Sequence, residues 1–474
     1  MIPLTLAEVA QATGGTLHDV PDPQLRITGP VVRDSRHVVP GALFAAVVGE
    51  RVDGHDFAAR TVADGAVAVL ASRPVGVPAV VVDDVVQGLS RLAQAVVGRA
   101  AGTTVVALTG SAGKTSTKDL IAQVLGGAGP TVWTEGSLNN EIGLPLTALQ
   151  VAEDTRFLVL EMGARHKGDI AHLTGIAPPS VGLVLNVGTA HMGEFGSREA
   201  IAEAKGEMVE SLPATGCAVL NADDPLVRAM ASRTKARVLF FGESAEAQIR
   251  AEDVRLDASG RAAFTLVTPA GSAPVALRLY GEHHVSNALA AAAVATECGM
   301  ELNQVASALG EAGSLSRWRM ELTERPDGVT VINDAYNANP ESMRAALRAL
   351  AAIGGRGPDA RRTWAVLGEM RELGGDSLDE HDAVGRLAVR LNIATLVAVG
   401  GREAACMELG ARNEGSWGEE SVLVSDVDAA IGLLRERVRP GDVVLVKASR
   451  SVGLERVAEA LLADGSADAT GAAL

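Results

Sequence analysis

Cysteine, aromatic residues and positive charge are all scarce in this chain. Only Cys217, Cys298 and Cys406 occur in 474 residues, far apart and without a CxxC pair. That spacing excludes a disulfide framework and offers no zinc site. Aromatics make up 3% of the residues against 47% hydrophobic, so the cores must be built from Val, Leu, Ile and Ala, which suits α/β packing. The formal net charge of −16 argues against broad binding of nucleic acid or an anionic membrane. It leaves room for an anionic small molecule, because charges beyond roughly 8 Å are largely screened at physiological salt and a local basic pocket would suffice. No apolar run approaches the ~18 residues of a membrane span. The opening MIPLTLAEVAQATGG lacks the basic start and apolar run of a signal peptide. The expected compartment is the cytoplasm. No internal repeat of roughly 20–50 residues is present.

The length corresponds to about three domains, and three blocks are legible. Residues 1–100 mix short strands with Gly and Pro turns: VVRDSR, VPGALFAAVVG, GAVAVLA and PAVVVDD read as strands, and 85–100 as a helix ending at Ala101-Gly102. Residues 101–315 open with a strand, TTVVALTG, running straight into GKTSTKDLIAQVL, where Leu120, Ile121, Val124 and Leu125 recur at helical spacing. Strands follow at FLVLE, VGLVLNVG, CAVLN and RVLFFG, with helical stretches between several of them. This alternation predicts a parallel sheet covered on both faces. Residues 249–280 alternate around a DASG turn as an antiparallel appendage, and an Ala-rich helix follows from Asn287. Residues 316–474 repeat the α/β rhythm with strands at TVIND, TWAVLG, TLVAVG, SVLVS and DVVLVK. Only the tail after about Ala463 reads as disordered.

The chemistry concentrates in the second block. Thr109-Gly110-Ser111-Ala112-Gly113-Lys114-Thr115-Ser116 lies between strand and helix, where a phosphate loop belongs. Glycines let backbone N–H groups approach phosphate oxygens, the helix N-terminus adds partial positive charge, Lys114 a full one, and Thr115 a hydroxyl for Mg²⁺. Leu108 stands where the full GxxxxGK[ST] pattern has its first glycine. Glu161 ends the next strand and His191 follows the one after. Loops at the carboxyl ends of parallel strands converge on one crevice, so both are candidate cation ligands beside Thr115. In EAIAEAKGEMVESL the apolar stripe is Ile201, Met208, Val209 and Leu212, and Lys205 falls within it while Glu203 and Glu207 point elsewhere. An inward lysine must snorkel, contact phosphate, or be converted to a carbamate.

Taken together, the TGSAGKTSTK loop, SLNNEIGLP with Asn139 and Asn140, Glu161-x-Gly163, His191 and Lys205 resemble the Mur ligase family over essentially the whole chain. The resemblance implies that Thr115, Glu161, His191 and Lys205 hold Mg²⁺, with Lys205 carbamylated, and that Lys114, Lys205 and His191 serve catalysis. GEHHVSNALAA is similar to the family's adenine-contacting turn, with Asn287 matching and His284 replacing the usual asparagine. Arg319 in WRME matches the arginine that opens the third domain. Three further stretches resemble the D-alanyl-D-alanine-adding branch. These are the N-terminal DSR…DGHDF with Ser35, Arg36 and His55; NDAYNANPESM with Asp334, Tyr336, Asn337 and Asn339, where Asn333 replaces an aspartate; and VLGEMRELG.

What this implies is an α/β protein of three domains. A small UDP-sugar-binding domain (1–100) precedes a P-loop ATPase-like parallel sheet (101–315) and a Rossmann-like domain (316–474). The implied function is ATP-dependent ligation of D-alanyl-D-alanine to UDP-N-acetylmuramoyl-tripeptide through an acyl phosphate, by a monomer. Ser35, Arg36, His55, Asn139, Asn140, Tyr336, Asn337 and Asn339 would contact substrate. Two other classes compete. A P-loop switch would turn over ATP without a peptide and leaves the N-terminal block unexplained. A nucleotide-sugar binder with a vestigial site would lack the intact set Lys114, Thr115, Glu161, His191 and Lys205.

Overall fold

The computed structural model describes residues 1–471 other than His191, Arg356 and Trp417, with side chains to Asp464. Among the described residues the strands form four sheets, and no helix is long and apolar enough to cross a membrane.

The N-terminal sheet has five strands in the spatial order Thr16–His18, Ala79–Val81, Ala68–Ala71, Leu43–Ala45, Val31–Val32, parallel except at the first pair. The strand expected through VVRDSR stops at Val32. Asp34 accepts the Arg36 N–H and turns Ser35–His37 into a short 3₁₀ segment, a local side-chain bond that competes with the ladder. The expected helix is Val85–Arg99, started by Asp84, whose side chain accepts the Val86 and Gln87 N–H groups.

The central sheet has nine strands: Thr131–Trp133, Phe157–Glu161, Thr104–Thr109, Val181–Val184, Cys217–Asn221, Arg237–Gly242, Ile249–Leu256, Arg261–Thr268, Gly271–Tyr280. The first seven are parallel and the last two close antiparallel, so the appendage read at 249–280 is an extension of the same sheet. Both faces are covered. One core joins Leu120, Ile121, Val124 and Leu125 to the Ala-rich helix His284–Glu297. The other joins Ile201, Met208 and Val209 to Leu89, Leu92 and Val96 of the N-terminal block. Each fully buried Leu or Val contributes about 1.5–3 kcal/mol. With so few aromatics, this repetition of small apolar groups carries the packing.

The third sheet runs Glu321–Glu324, Thr330–Asn333, Val443–Lys447, Thr363–Gly368, Thr395–Val399, Ser421–Val424, parallel apart from the first strand. That antiparallel edge strand is charged at both ends, which is why apolar patterning did not reveal it. The helix Glu455–Gly471 continues through the segment read as a disordered tail; its alanines favour helix.

Helices Ser377–Arg390 and Arg402–Glu414 meet through Gly385 and Gly410. A Cβ at Gly385 would overlap the Met407 carbonyl oxygen, and one at Gly410 the Asp382 carbonyl. Gly385→Ala is therefore expected to cost about 1–3 kcal/mol or more through overpacking. Chemical denaturation of the variant checks this, and an unchanged midpoint would show that the helices can part at no cost.

Candidate active site

Thr104–Thr109 is flanked by Phe157–Glu161 on one side and Val181–Val184 on the other. Their carboxyl ends place the loop after Thr109, Glu161 and the segment after Val184 side by side, at the point where the chain reverses its direction across the sheet. Gly113 has φ +79°, and a Cβ there would sit 2.8 Å from Asn287 Oδ1, so only glycine fits. The helix Lys114–Gly126 starts at this point, with its first N–H groups pointing into the crevice.

The loop is shaped by a residue that the sequence reading did not single out. Asn186 Oδ1 accepts the N–H groups of Ser111 and Ala112, both at 2.9 Å, and its amide donates to the Ala112 carbonyl at 3.1 Å. Two loop N–H groups expected to face phosphate are therefore engaged by Asn186, leaving the helix N-terminus as the anion-facing end. Lys114 Nζ donates to the Gly110 carbonyl at 2.8 Å. Burial pushes the Lys114 amine down; Glu161 opposes that shift and Arg319 adds to it. Thr109 Oγ1 and Ser111 Oγ are buried without a hydrogen-bond partner.

Glu161 is 1% exposed. Its Oε1 accepts from Asn139 Nδ2 at 2.7 Å, while Oε2 is buried with no partner. Asn140 Oδ1 accepts the Gly143 N–H at 3.0 Å. Lys205 is 3% exposed, as the apolar stripe requires. Burial, then the charge of Lys114, push its amine well below the ordinary lysine range. Glu207, expected to point away from the apolar stripe, is buried and accepts the Gly168 N–H at 2.6 Å and the Ala171 N–H at 3.0 Å. It satisfies the free N–H groups that start the helix Asp169–Ile176. His191 lies outside the described residues. Among those described, no cluster of three His, Cys, Asp or Glu forms.

The third sheet closes over this edge. Arg319 Nη2 lies 3.2 Å from Thr115 Oγ1, and its guanidinium stacks 4.3 Å above the Tyr336 ring. Asp334 Oδ2 pairs with Lys447 Nζ at 2.6 Å, and Lys447 also donates to the Asn337 carbonyl at 2.8 Å. Asn339 caps the helix Pro340–Gly354 through the Ser342 N–H and donates to the Ser111 carbonyl at 3.3 Å. Glu341 Oε1 accepts the Thr189 N–H and hydroxyl at 2.9 and 3.0 Å. His283 is pushed down to about 4 by burial and stays neutral. His284, which stands in place of the usual asparagine, is buried, with Nδ1 3.4 Å from the Asn287 amide nitrogen. Lys447 and Glu341 went unnoticed in sequence. Lys447 had one signal, a cation ending the apolar strand DVVLVK.

A cavity of about 1080 Å³ opens among these groups. Of the expected nucleotide residues, Ser111, Ala112, Gly113, Lys114, Thr115, Ser116, Asn287, Arg319 and Asp334 line it. So do Glu161 and the expected substrate residues Asn139, Asn140, Tyr336, Asn337 and Asn339. Lys205 is not among the lining residues, although it lies near enough to Lys114 to sense its charge. Ser35, Arg36 and His55 do not line it either. Arg36 is exposed and pairs with Asp34 at 2.6 Å. His55 is buried, with Nδ1 2.6 Å from Asp53 Oδ1 and Nε2 accepting the Ser72 N–H at 2.9 Å. That fixes the Nδ1–H tautomer and ties both ring nitrogens to the turn.

Fold and cavity together define a phosphate-loop nucleotide-binding α/β protein whose third sheet caps the nucleotide edge. Comparison with known proteins refines that class. Family models match as Mur ligase family, catalytic domain over residues 31–102, Mur ligase middle domain over 108–295, and Mur ligase, glutamate ligase domain over 318–450. The chain belongs to the Mur ligase family. It is 51% identical over 503 residues to the UDP-N-acetylmuramoyl-tripeptide–D-alanyl-D-alanine ligase of Mycobacterium tuberculosis strain H37Rv, covering 98% of each. It is 35% identical to the protein of the same name from Escherichia coli K12, covering 98% of this chain and 100% of the relative. The fold superposes on a crystal structure of MurF from Acinetobacter baumannii with TM-score 0.86 and 33% identity, covering 97% and 99% of the two chains. The MurF ligase of Thermotoga maritima in complex with ADP gives TM-score 0.80 at 32% identity, covering 93% and 99%.

Proposed function

We propose that this chain joins D-alanyl-D-alanine to the terminal carboxyl of UDP-N-acetylmuramoyl-tripeptide with cleavage of ATP to ADP and phosphate, a step of peptidoglycan precursor synthesis. One observation carries the reading: at Thr115 the phosphate-loop helix meets both Ser137, two residues before Asn139, and Arg319, just ahead of the third sheet's edge strand. A nucleotide on the loop and an acceptor on the other side would thus share one cavity. Relatives bearing that name match along nearly the whole chain.

The residues fit Mg²⁺. Glu161 Oε2 is a buried carboxylate oxygen without a partner, lining the same cavity as Thr115, and hard oxygen donors of this kind suit that ion. Thr115, Glu161, His191 and a carbamylated Lys205 would hold it, the last serving a second ion. Bound there, Mg²⁺ supplies charge neutralisation for the phosphoryl oxygens.

The peptide carboxylate oxygen attacks the γ-phosphorus, the bond to ADP breaks, and an acyl phosphate forms. The dipeptide amine then attacks the carbonyl carbon, phosphate leaves with the C–O bonding pair, and the amine nitrogen loses a proton. Two anions must approach in the first step, so Lys114, Arg319 and the helix N-terminus oppose their repulsion in an enclosed site where charges act strongly. Asn287 would hold the base and Asp334, fixed by Lys447, the ribose. Tyr336, Asn337 and Asn339 would orient the acceptor, while the Asn339 and Glu341 contacts keep water from the acyl phosphate. Residues 1–100, with Ser35 and Arg36, would bind the UDP-sugar; 101–315 and 316–474 form the two sides of the nucleotide cleft. The protein would work as a monomer in the cytoplasm, where ATP is available.

Phosphate release should require both UDP-tripeptide and D-alanyl-D-alanine, with ADP formed in equal amount. Running the assay with lysine- and diaminopimelate-ending tripeptides identifies the acceptor. Equal ATPase rates with neither substrate present would point to a P-loop switch instead.

A further inference from the structure

Lys118 lies one turn beyond Lys114 and Thr115 on the phosphate-loop helix and is completely buried. An unpaired ammonium there would be very costly. Its Nζ donates to the carbonyls of Thr134 at 2.7 Å and Gly136 at 3.2 Å. It also sits 2.6 Å from Asp119 Oδ1. That last contact is ionic and not a directed hydrogen bond, since Oδ1 has no hydrogen-bond partner. The other Asp119 oxygen accepts the Ser316 N–H at 3.1 Å.

Each arm of the pair thus ends on a segment that returns to Thr115. The carbonyls held by Lys118 precede Ser137, whose hydroxyl is 3.1 Å from Thr115 Oγ1. The N–H held by Asp119 lies three residues before Arg319, whose Nη2 is 3.2 Å from Thr115 Oγ1 and 3.4 Å from Ser137 Oγ. A buried ion pair is weak support for stability, because well-packed apolar residues often replace one at no loss. What it supplies here is position. We propose that Lys118 and Asp119 are a pair of positioning residues, Lys118 placing Ser137 and Asp119 placing Arg319 against the Thr115 hydroxyl. Its catalytic consequence rests on the ligase reading above, while its structural content does not.

The test is the full-length double variant Lys118→Met/Asp119→Leu, which removes both charges and keeps the volume. It is expected to melt close to wild type. Amide hydrogen exchange without ligand or metal should become about tenfold faster in 134–140 and in 315–320, and not elsewhere in the helix. Ligation should fall on the order of 10–100-fold, the cost of misplacing reacting groups by about an ångström. Wild-type exchange in both segments of a folded double variant would overturn the proposal. Should that variant not fold, two single changes decide. Asp119→Ala should speed exchange in 315–320 alone, and Asp119→Asn, which keeps an oxygen for the Ser316 N–H, should restore it. Equal effects of the two, or a change spread along the whole helix, would make the pair a general stabiliser. A wild-type protein that fails to ligate would sink the ligase reading and leave the exchange result standing on its own.

Discussion

Lys114→Ala is expected to lower ligation on the order of 10³-fold while leaving the protein folded. Among the described residues the Nζ atom bonds only the Gly110 carbonyl, so little of the fold depends on it. What disappears is a buried cation facing Glu161 across a cavity that must also accept phosphate oxygens. Arg319, a second cation at that edge, is already stacked on Tyr336 and directed at Thr115, and cannot move to the vacated place without losing both contacts. ADP binding should weaken along with turnover, because the lysine acts on the phosphates in ground and transition states alike. Calorimetry with ADP and the ligation assay check both effects. Ligation within twofold of wild type would remove this loop from the reaction.

The residues legible in the sequence were those that local pattern determines. Strand, glycine turn and helix follow one another at 104–126 within a short stretch, so the phosphate loop could be read directly, as could Glu161 at a strand end. The inward place of Lys205 followed from helical spacing. The five parallel strands of the third sheet were visible because each is a short apolar run. Asn186 was not, because the atoms it holds are 75 residues away, and a lone asparagine after a strand gives no sign of where its amide points. Lys447 and Asp334 are 113 residues apart, and their pairing is a product of strand order. The capping role of Glu207 gave no sign in sequence because the helix end it caps lies 36–39 residues upstream. The contacts of the His55 ring with Asp53 and Ser72 were likewise hidden, because Ser72 is 17 residues away and only the folded turn brings it near.

Lys205→Ala is expected to lose about 100-fold or more of the activity, and short carboxylic acids in the buffer should restore part of it. Burial and the charge of Lys114 both disfavour an ammonium at this position, so the amine gives up its proton more readily than an ordinary lysine. Among the described residues, no carboxylate is paired with it. A neutral amine can add to carbon dioxide: the nitrogen lone pair forms the N–C bond, a proton leaves, and a carbamate results. That converts a site hostile to a cation into one carrying an anion, whose charge Lys114 then stabilises. Lys205→Arg should not rescue, since a guanidinium keeps its proton and cannot take up carbon dioxide. With ¹³C-bicarbonate, wild-type protein should show a carbamate carbon resonance that is absent from Lys205→Ala. It should fade as pH falls and the amine regains its proton. A fully active wild-type enzyme without that resonance, its Lys205 amine unmodified, would show that the lysine works as a plain amine, and the carboxylate rescue would then fail as well.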